Sequence, residues 1–188
     1  MAGGNELAPT VRSALILGGA RSGKSAYAQS LAEGYGPERL YLATATPGDE
    51  EMAARIARHQ ADRGEGWTTL EEPLQVASAL LAHAQAGRVV VVDCLTLWLS
   101  NLMLVGRDPG PAVTALADAI RALAGPAILV SNEVGMGIVP DHKLGREFRD
   151  WHGKANREIG AACEAVIFVA AGLPLRLKPL TTPSVQLG

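Results

Sequence analysis

Ala14-Leu15-Ile16-Leu17 runs without a break into Gly18-Gly19-Ala20-Arg21-Ser22-Gly23-Lys24-Ser25, and that junction decides the fold. The apolar run reads as a strand buried on both faces. The segment after it fits G-x-x-x-x-G-K-[ST], and Ala26-Tyr27-Ala28-Gln29-Ser30-Leu31-Ala32-Glu33 continues as a helix. Strand, glycine loop and helix in this order supply the context a phosphate site needs. Glycines let backbone N–H groups turn inward around a polyphosphate, and the helix N-terminus adds its positive end. In that frame Lys24 reaches the β- and γ-phosphates and the Ser25 hydroxyl holds Mg²⁺. The segment implies a nucleoside triphosphate, ATP or GTP, because a backbone cradle grips phosphates and ignores the base.

The chain has 188 residues, 48% of them apolar, which suits one domain over 13–188 behind a mobile tail at 1–12. A net charge of −2 gives no broad electrostatic reason to expect nucleic acid or an anionic membrane as partner. An aromatic content of 4% leaves little for stacking on bases. No basic segment followed by an apolar one marks a secretory signal, and the longest apolar stretch, Ala165 to Leu175, is too short to span a bilayer. Cys94 and Cys163 lie far apart in apolar surroundings without metal-ligand spacing. They read as reduced core thiols of a cytoplasmic protein, and no zinc site is expected.

Outward from the glycine loop, strand patterns recur at 40–45, 67–70, 89–93, 127–131 and 165–170. Between them lie helix patterns at 49–63, 76–86 and 95–105. A further helix carries Val113, Leu116, Ile120 and Leu123, and a long one is marked by Leu144, Phe148, Trp151, Ala155 and Ile159. Gly106 to Pro111 reads as a loop. Alternating strands and helices predict an α/β fold, a mostly parallel central sheet with helices on both faces.

Ligands of such a sheet bind outside the carboxyl ends of its strands. Asp93 ends the valine strand and suits the Mg²⁺ shell, or alternatively caps the helix that follows. Thr44 and Thr46 either contact nucleotide or cap a turn. On the helix at 49–63, Met52, Ile56 and His59 share a stripe, Arg55 and Arg63 flank His59 at four residues, and Asp62 could orient the ring. Two guanidiniums keep the imidazole neutral and nucleophilic and would bind the phosphate it attacks. A partly buried histidine between solvated arginines fits the same spacing. Asn132-Glu133-Val134-Gly135-Met136-Gly137-Ile138-Val139-Pro140 suits a mobile substrate loop or a structural one. Arg146, Arg149, Lys154 and Arg157 make one side of the long helix basic, either solvated or phosphate-binding.

Three motifs stand in order: Gly18 to Ser25, Glu51-Met52-Ala53-Ala54-Arg55-Ile56 with His59, and Asn132 to Pro140. Together they closely resemble the bifunctional adenosylcobinamide kinase / adenosylcobinamide-phosphate guanylyltransferase family of cobalamin biosynthesis, over about 14–178. The resemblance implies a P-loop NTPase fold related to RecA and two reactions. A nucleoside triphosphate phosphorylates the aminopropanol hydroxyl of adenosylcobinamide. GTP then forms a covalent GMP-histidine with release of pyrophosphate, and the cobinamide phosphate takes the GMP. The family's guanylylated histidine falls on His59; where some relatives have a second histidine just before it, this chain has Arg58. The same matching places Gly18, Gly19, Ala20, Arg21, Ser22, Gly23, Lys24, Ser25, Ala43, Thr44, Ala45, Gln60, Ala61, Asp62, Arg63, Glu71 and Asp93 at the nucleotide. It also implies a homotrimer with sites near subunit boundaries. A monofunctional P-loop kinase and a nucleotide-switched binding module share the glycine loop and remain as alternatives.

Overall fold

A computed structural model describes residues 10–45 and 64–179. The strands are β1 (Ser13–Gly18), β2 (Glu38–Ala43), β3 (Trp67–Glu71), β4 (Arg88–Asp93), β5 (Ala127–Asn132), β6 (Ala165–Ala170) and β7 (Leu173–Lys178). They form one sheet in the order β3-β2-β4-β5-β1-β6-β7. Every pairing is parallel except that of β6 with β7. The described helices are α1 (Lys24–Tyr35), α2 (Val76–His83), α3 (Leu95–Leu104), α4 (Pro109–Arg121) and α5 (Lys143–Ala162). The predicted mostly parallel α/β sheet is therefore the observed one.

Alternation along each strand sorts the core into two layers. Leu15, Val90, Val92 and Leu129 point toward α2, α3, α4 and α5, where they meet Leu80, Trp98, Leu99, Leu116 and Ile159. Ala14, Ile16, Val89, Val91 and Val130 point the other way, onto Ala28 and Ala32 of α1. Those two alanines stand four residues apart on one face of α1, and their small size lets the helix lie close over the centre of the sheet. Each fully buried Leu, Val or Ile contributes about 1.5–3 kcal/mol, so the layered core fixes β1 far more firmly than any loop contact. The glycine loop thus leaves directly from a buried strand of the core. Among the described residues no helix is long and apolar enough to cross a membrane.

Several elements differ from the sequence reading. The predicted loop at 106–111 is shorter, because α4 begins at Pro109: the Asp108 carboxylate accepts a hydrogen bond from the Gly110 N–H at 3.0 Å. Proline suits that first helical position, where no N–H is needed. Strand β7 was not expected. It returns from β6 through Ala171-Gly172, both at positive φ (52° and 79°), the backbone of a two-residue hairpin turn. Pro174 is tolerated there because β7 is an edge strand. The Lys178 ammonium donates to the carbonyls of Gly160, Ala161 and Cys163, at the negative end of α5. Leu144, assigned to the apolar stripe that marks α5, is exposed, whereas His152 and Asn156 are buried. Arg12 is bonded to the domain: its N–H donates to Glu164 and its carbonyl accepts from the Ala127 N–H. The predicted helix at 49–63 and residues 1–9 lie outside the described residues.

Candidate functional site

Strand register brings the sequence-predicted residues to one edge. Gly18, the last residue of β1, pairs with Asn132, the last of β5. Ala43 pairs with both Asp93 and Glu71, and Asp93 pairs with Val130. Parallel strands point the same way, so Gly18, Ala43, Glu71, Asp93 and Asn132 all end at the carboxyl edge, where α/β sheets bind ligands. His59, Gln60, Ala61, Asp62 and Arg63, with Thr46, lie outside the described residues.

The loop over Gly18 to Gly23 turns as its glycines allow. A β-carbon on Gly18 would lie 2.5 Å from the Val169 carbonyl oxygen, a contact only glycine avoids. Arg21 and Gly23 take positive φ (55° and 95°), and the Ser22 N–H donates back to the Gly19 carbonyl. Gly23 precedes the first turn of α1, and the Tyr27 N–H closes that turn onto the Gly23 carbonyl. Lys24 is buried, and its ammonium donates to the Gly19 carbonyl at 3.1 Å, across the mouth of the loop. Ser25 is half-buried in the same helical turn, while Ala20 and Arg21 are exposed on the rim. The loop is braced from β6–β7: the Gly172 N–H donates to the Ser22 carbonyl at 2.9 Å.

Asp93 is half-buried where β4 leaves the sheet. The helix-cap alternative for Asp93 does not hold, since the cap position of α3 is Cys94, which makes no side-chain cap bond. Thr44 is fully buried and fully engaged. Its N–H donates to the Asp93 carbonyl, and its hydroxyl accepts from the Cys94 N–H and donates to the Cys94 carbonyl. Its own carbonyl accepts from the Asn101 amide at 2.8 Å. Thr44 clamps β2 to the exit of β4, and any effect of its side chain on a nucleotide is indirect. Ala43 is buried, Ala45 half-buried and Glu71 exposed. Among the described residues no three His, Cys, Asp or Glu side chains converge as a metal site. Hydroxyl and carboxylate oxygens from Ser25 and Asp93, completed by phosphates, suit Mg²⁺, which keeps few protein ligands.

A second wall comes from residues the sequence reading missed. Ser131 and His152 are fully buried and Asn156 nearly so, between β5 and α5. His152 Nε2 lies 3.0 Å from Thr96 Oγ1 and 3.4 Å from Ser131 Oγ, and its Nδ1 lies 3.3 Å from Asn156 Nδ2. Burial holds the imidazole pKa below the ordinary histidine value, against the opposing pull of Glu133. The sequence signal for this wall was the spacing His152, Asn156, Ile159, a helical stripe with two polar members. Beyond it, the Glu133 carboxylate accepts from the Gly135 N–H, and Met136, Gly137, Ile138 and Val139 are exposed. Of the basic residues on α5, Arg146 donates to the carbonyls of Pro140 and Asp141, Arg149 pairs with Asp150, and Lys154 sits over the Trp151 ring. Arg157 is exposed.

The family model described as cobinamide kinase / cobinamide phosphate guanyltransferase matches residues 14–177. The chain belongs to this family. The match starts within β1 and ends within β7, so the glycine loop, the Asp93 strand end and the Gly172 brace all fall inside it. Among family relatives, the Pseudomonas aeruginosa bifunctional adenosylcobalamin biosynthesis protein CobP is 50% identical over 167 residues, covering 87% of this chain and 96% of that protein. The Escherichia coli and Salmonella typhimurium bifunctional adenosylcobalamin biosynthesis proteins CobU are 36% and 37% identical, each over 87% of this chain and 98% of the relative. Among solved structures, the P4 protein from bacteriophage phi6 in complex with ADP aligns with a TM-score of 0.49 at 16% identity. It covers 87% of this chain, which spans about half (52%) of the P4 chain.

Proposed function

We propose that this chain carries both reactions of its family: phosphorylation of adenosylcobinamide by a nucleoside triphosphate, then transfer of GMP from GTP to adenosylcobinamide phosphate. The observation that carries the reading is the placement of Lys24. Its ammonium spans a glycine loop at the carboxyl edge of the sheet, on the edge where β4 ends in Asp93. In the kinase step the cobinamide hydroxyl attacks the γ-phosphorus, the bond to the β-phosphate oxygen breaks, and the nucleoside diphosphate leaves. Lys24 and backbone N–H groups of the glycine loop stabilise charge developing on the phosphate oxygens. Ser25 and Asp93 would hold Mg²⁺, which when bound neutralises part of the triphosphate charge.

In the transferase step His59 is the nucleophile on the α-phosphorus and pyrophosphate leaves; the cobinamide phosphate then displaces the histidine. Gln60, Ala61, Asp62, Arg63, Glu71 and residues 43–45 line the nucleotide in the same reading. ATP or GTP serves the kinase step, and GTP the transfer. A homotrimer in the cytoplasm belongs to the proposal too, supported by the family resemblance. The intact protein, exposed to GTP and then denatured under mildly basic conditions, should gain the mass of one GMP. A protein that turns over cobinamide yet never acquires that mass is a kinase alone.

A further inference from the structure

Beyond the motif residues, we infer that Thr96 and Asn156 are positioning residues for the nucleotide site, gripping both backbone polar groups of Asn132 and so setting the strand end that borders the glycine loop. The inference rests on the reading above that this loop holds the transferred phosphates.

The need for such a grip follows from register. Strand β4 ends at Asp93, opposite Val130, and the chain then turns into α3. Two residues further along β5, Asn132 has no strand beside it on the β4 side among the described residues. Its N–H and carbonyl both point that way, because the next N–H, that of Glu133, donates to the Gly18 carbonyl on the β1 side at 3.0 Å. Unpaired buried backbone groups are rare in native proteins. Here two side chains replace the missing strand: Thr96 Oγ1 accepts the Asn132 N–H at 3.0 Å, and Asn156 Nδ2 donates to the Asn132 carbonyl at 3.0 Å.

The partners of those two groups leave little choice of orientation. The Asn132 carbonyl can only accept, so the Asn156 amide nitrogen must face it, and the remaining Oδ1 accepts from the Ser131 hydroxyl at 2.7 Å. The second hydrogen of that nitrogen is aimed at His152 Nδ1, which must then be the acceptor. His152 is accordingly neutral with its proton on Nε2, toward the oxygens of Thr96 and Ser131. Among the described residues, Glu133 is the charged group that bears on His152 through space. An apolar filling of this space would stabilise the core as well; a closed polar network instead fixes direction. Thr96 stands three residues after Asp93, and Asn132 pairs with Gly18. One network therefore ties the carboxylate-bearing strand end to the entry of the glycine loop.

The test compares Thr96→Val, which keeps shape and loses the hydroxyl, with Thr96→Ser, which keeps the hydroxyl, and adds Asn156→Leu. Misplacing reacting groups by about 1 Å costs on the order of 10²-fold in rate. Thr96→Val and Asn156→Leu should lose about that much kcat in cobinamide phosphorylation per folded molecule, with the cobinamide KM little changed, and Thr96→Ser should recover most of it. Variants that melt earlier but turn over at the wild-type rate would overturn the inference. Native-state hydrogen exchange on the wild-type protein needs neither turnover nor a folded variant. The Asn132 and Glu133 amides should be protected like the middle of β5, and rapid exchange there also overturns the inference. A wild-type protein with the protected amides and no turnover would refute the kinase reading instead, so the two failures are distinct.

Discussion

The Gly172 N–H meets the Ser22 carbonyl at 2.9 Å, joining the tip of an edge hairpin to the middle of the glycine loop. The approach is close on both sides: a β-carbon on Gly23 would stand 3.2 Å from the Gly172 Cα. A loop that must present several N–H groups to one phosphate needs its own carbonyls turned outward and satisfied, and the hairpin satisfies one of them. Gly23→Ala meets two penalties. Its φ of 95° is left-handed, costing alanine about 1–2 kcal/mol, and its methyl presses on the hairpin. A lower Tm by several degrees is expected, and ADP, expected to raise the Tm of the wild type, should raise that of the variant far less. A variant still stabilised fully by ADP would show that the brace does not matter to phosphate binding.

Lys24 is buried with its ammonium on the Gly19 carbonyl, so Lys24→Ala removes charge from inside the cradle with little change in fold. Both reactions should fall by at least about 10²-fold, as expected when a group aimed at transition-state charge is lost. Steady-state assays of cobinamide phosphorylation and of GMP transfer check this. Near-normal rates in either assay would place that reaction elsewhere.

If His59 is the nucleophile proposed above, His59→Ala should separate the two chemistries. Labelling by α-labelled GTP should vanish, because the proposed acceptor of the α-phosphorus is gone, whereas phosphorylation of cobinamide should persist. Retained label after denaturation would mean another nucleophile.

Much of this was legible in the sequence because burial writes itself in composition. Runs such as Val89 to Val92 and Ala127 to Val130 have only one stable home, a strand covered on both faces, and each fell where expected. The glycine loop was legible because steric and phosphate requirements coincide in Gly18 and Gly23. Strand β7 escaped notice although Leu173, Leu175 and Leu177 alternate with Pro174, Arg176 and Lys178, because a proline inside a short run argues against a strand and is tolerated here only at the exposed edge. The Thr96–Asn156 grip was illegible for a different reason. It depends on β4 stopping before β5 does, a fact of register that no local pattern encodes. Thr44 shows the same limit: its position after a strand fitted ligand contact or a turn cap equally, and only the structure shows its hydroxyl engaged with the Cys94 backbone.

Away from the site, Gly125 marks a contact that admits no side chain. A β-carbon there would lie 2.0 Å from the Gln85 carbonyl oxygen and 2.3 Å from its carbon. Neither is the end of a flexible side chain, so Gly125→Ala must move backbone before both β4 and β5. Destabilisation of about 2 kcal/mol or more is expected, the upper part of the range for overpacking. Urea unfolding should show a lower midpoint at unchanged slope, with wild-type nucleotide affinity in the folded fraction. An unshifted midpoint would mean that the two loops lie further apart.

His152 gives the fold a pH dependence whose sign is fixed by burial. Its folded pKa lies below the ordinary value of about 6.5, because desolvation outweighs the attraction of Glu133. Above that ordinary value both folded and unfolded chains hold the ring neutral, and its contribution to stability is fully present. As pH falls below it, the unfolded chain takes up the proton first, so stability drains until the folded pKa is reached. Protonation would also turn an N–H of the ring against the Asn156 amide hydrogens, 3.3 Å away between heavy atoms. Wild-type Tm should therefore drop more steeply between pH 7 and pH 5 than that of His152→Gln, which fills similar space and does not titrate in that range. Parallel curves for the two proteins would mean that the buried ring does not couple to folding, and that Asn156 keeps its grip on Asn132 whatever the charge beside it.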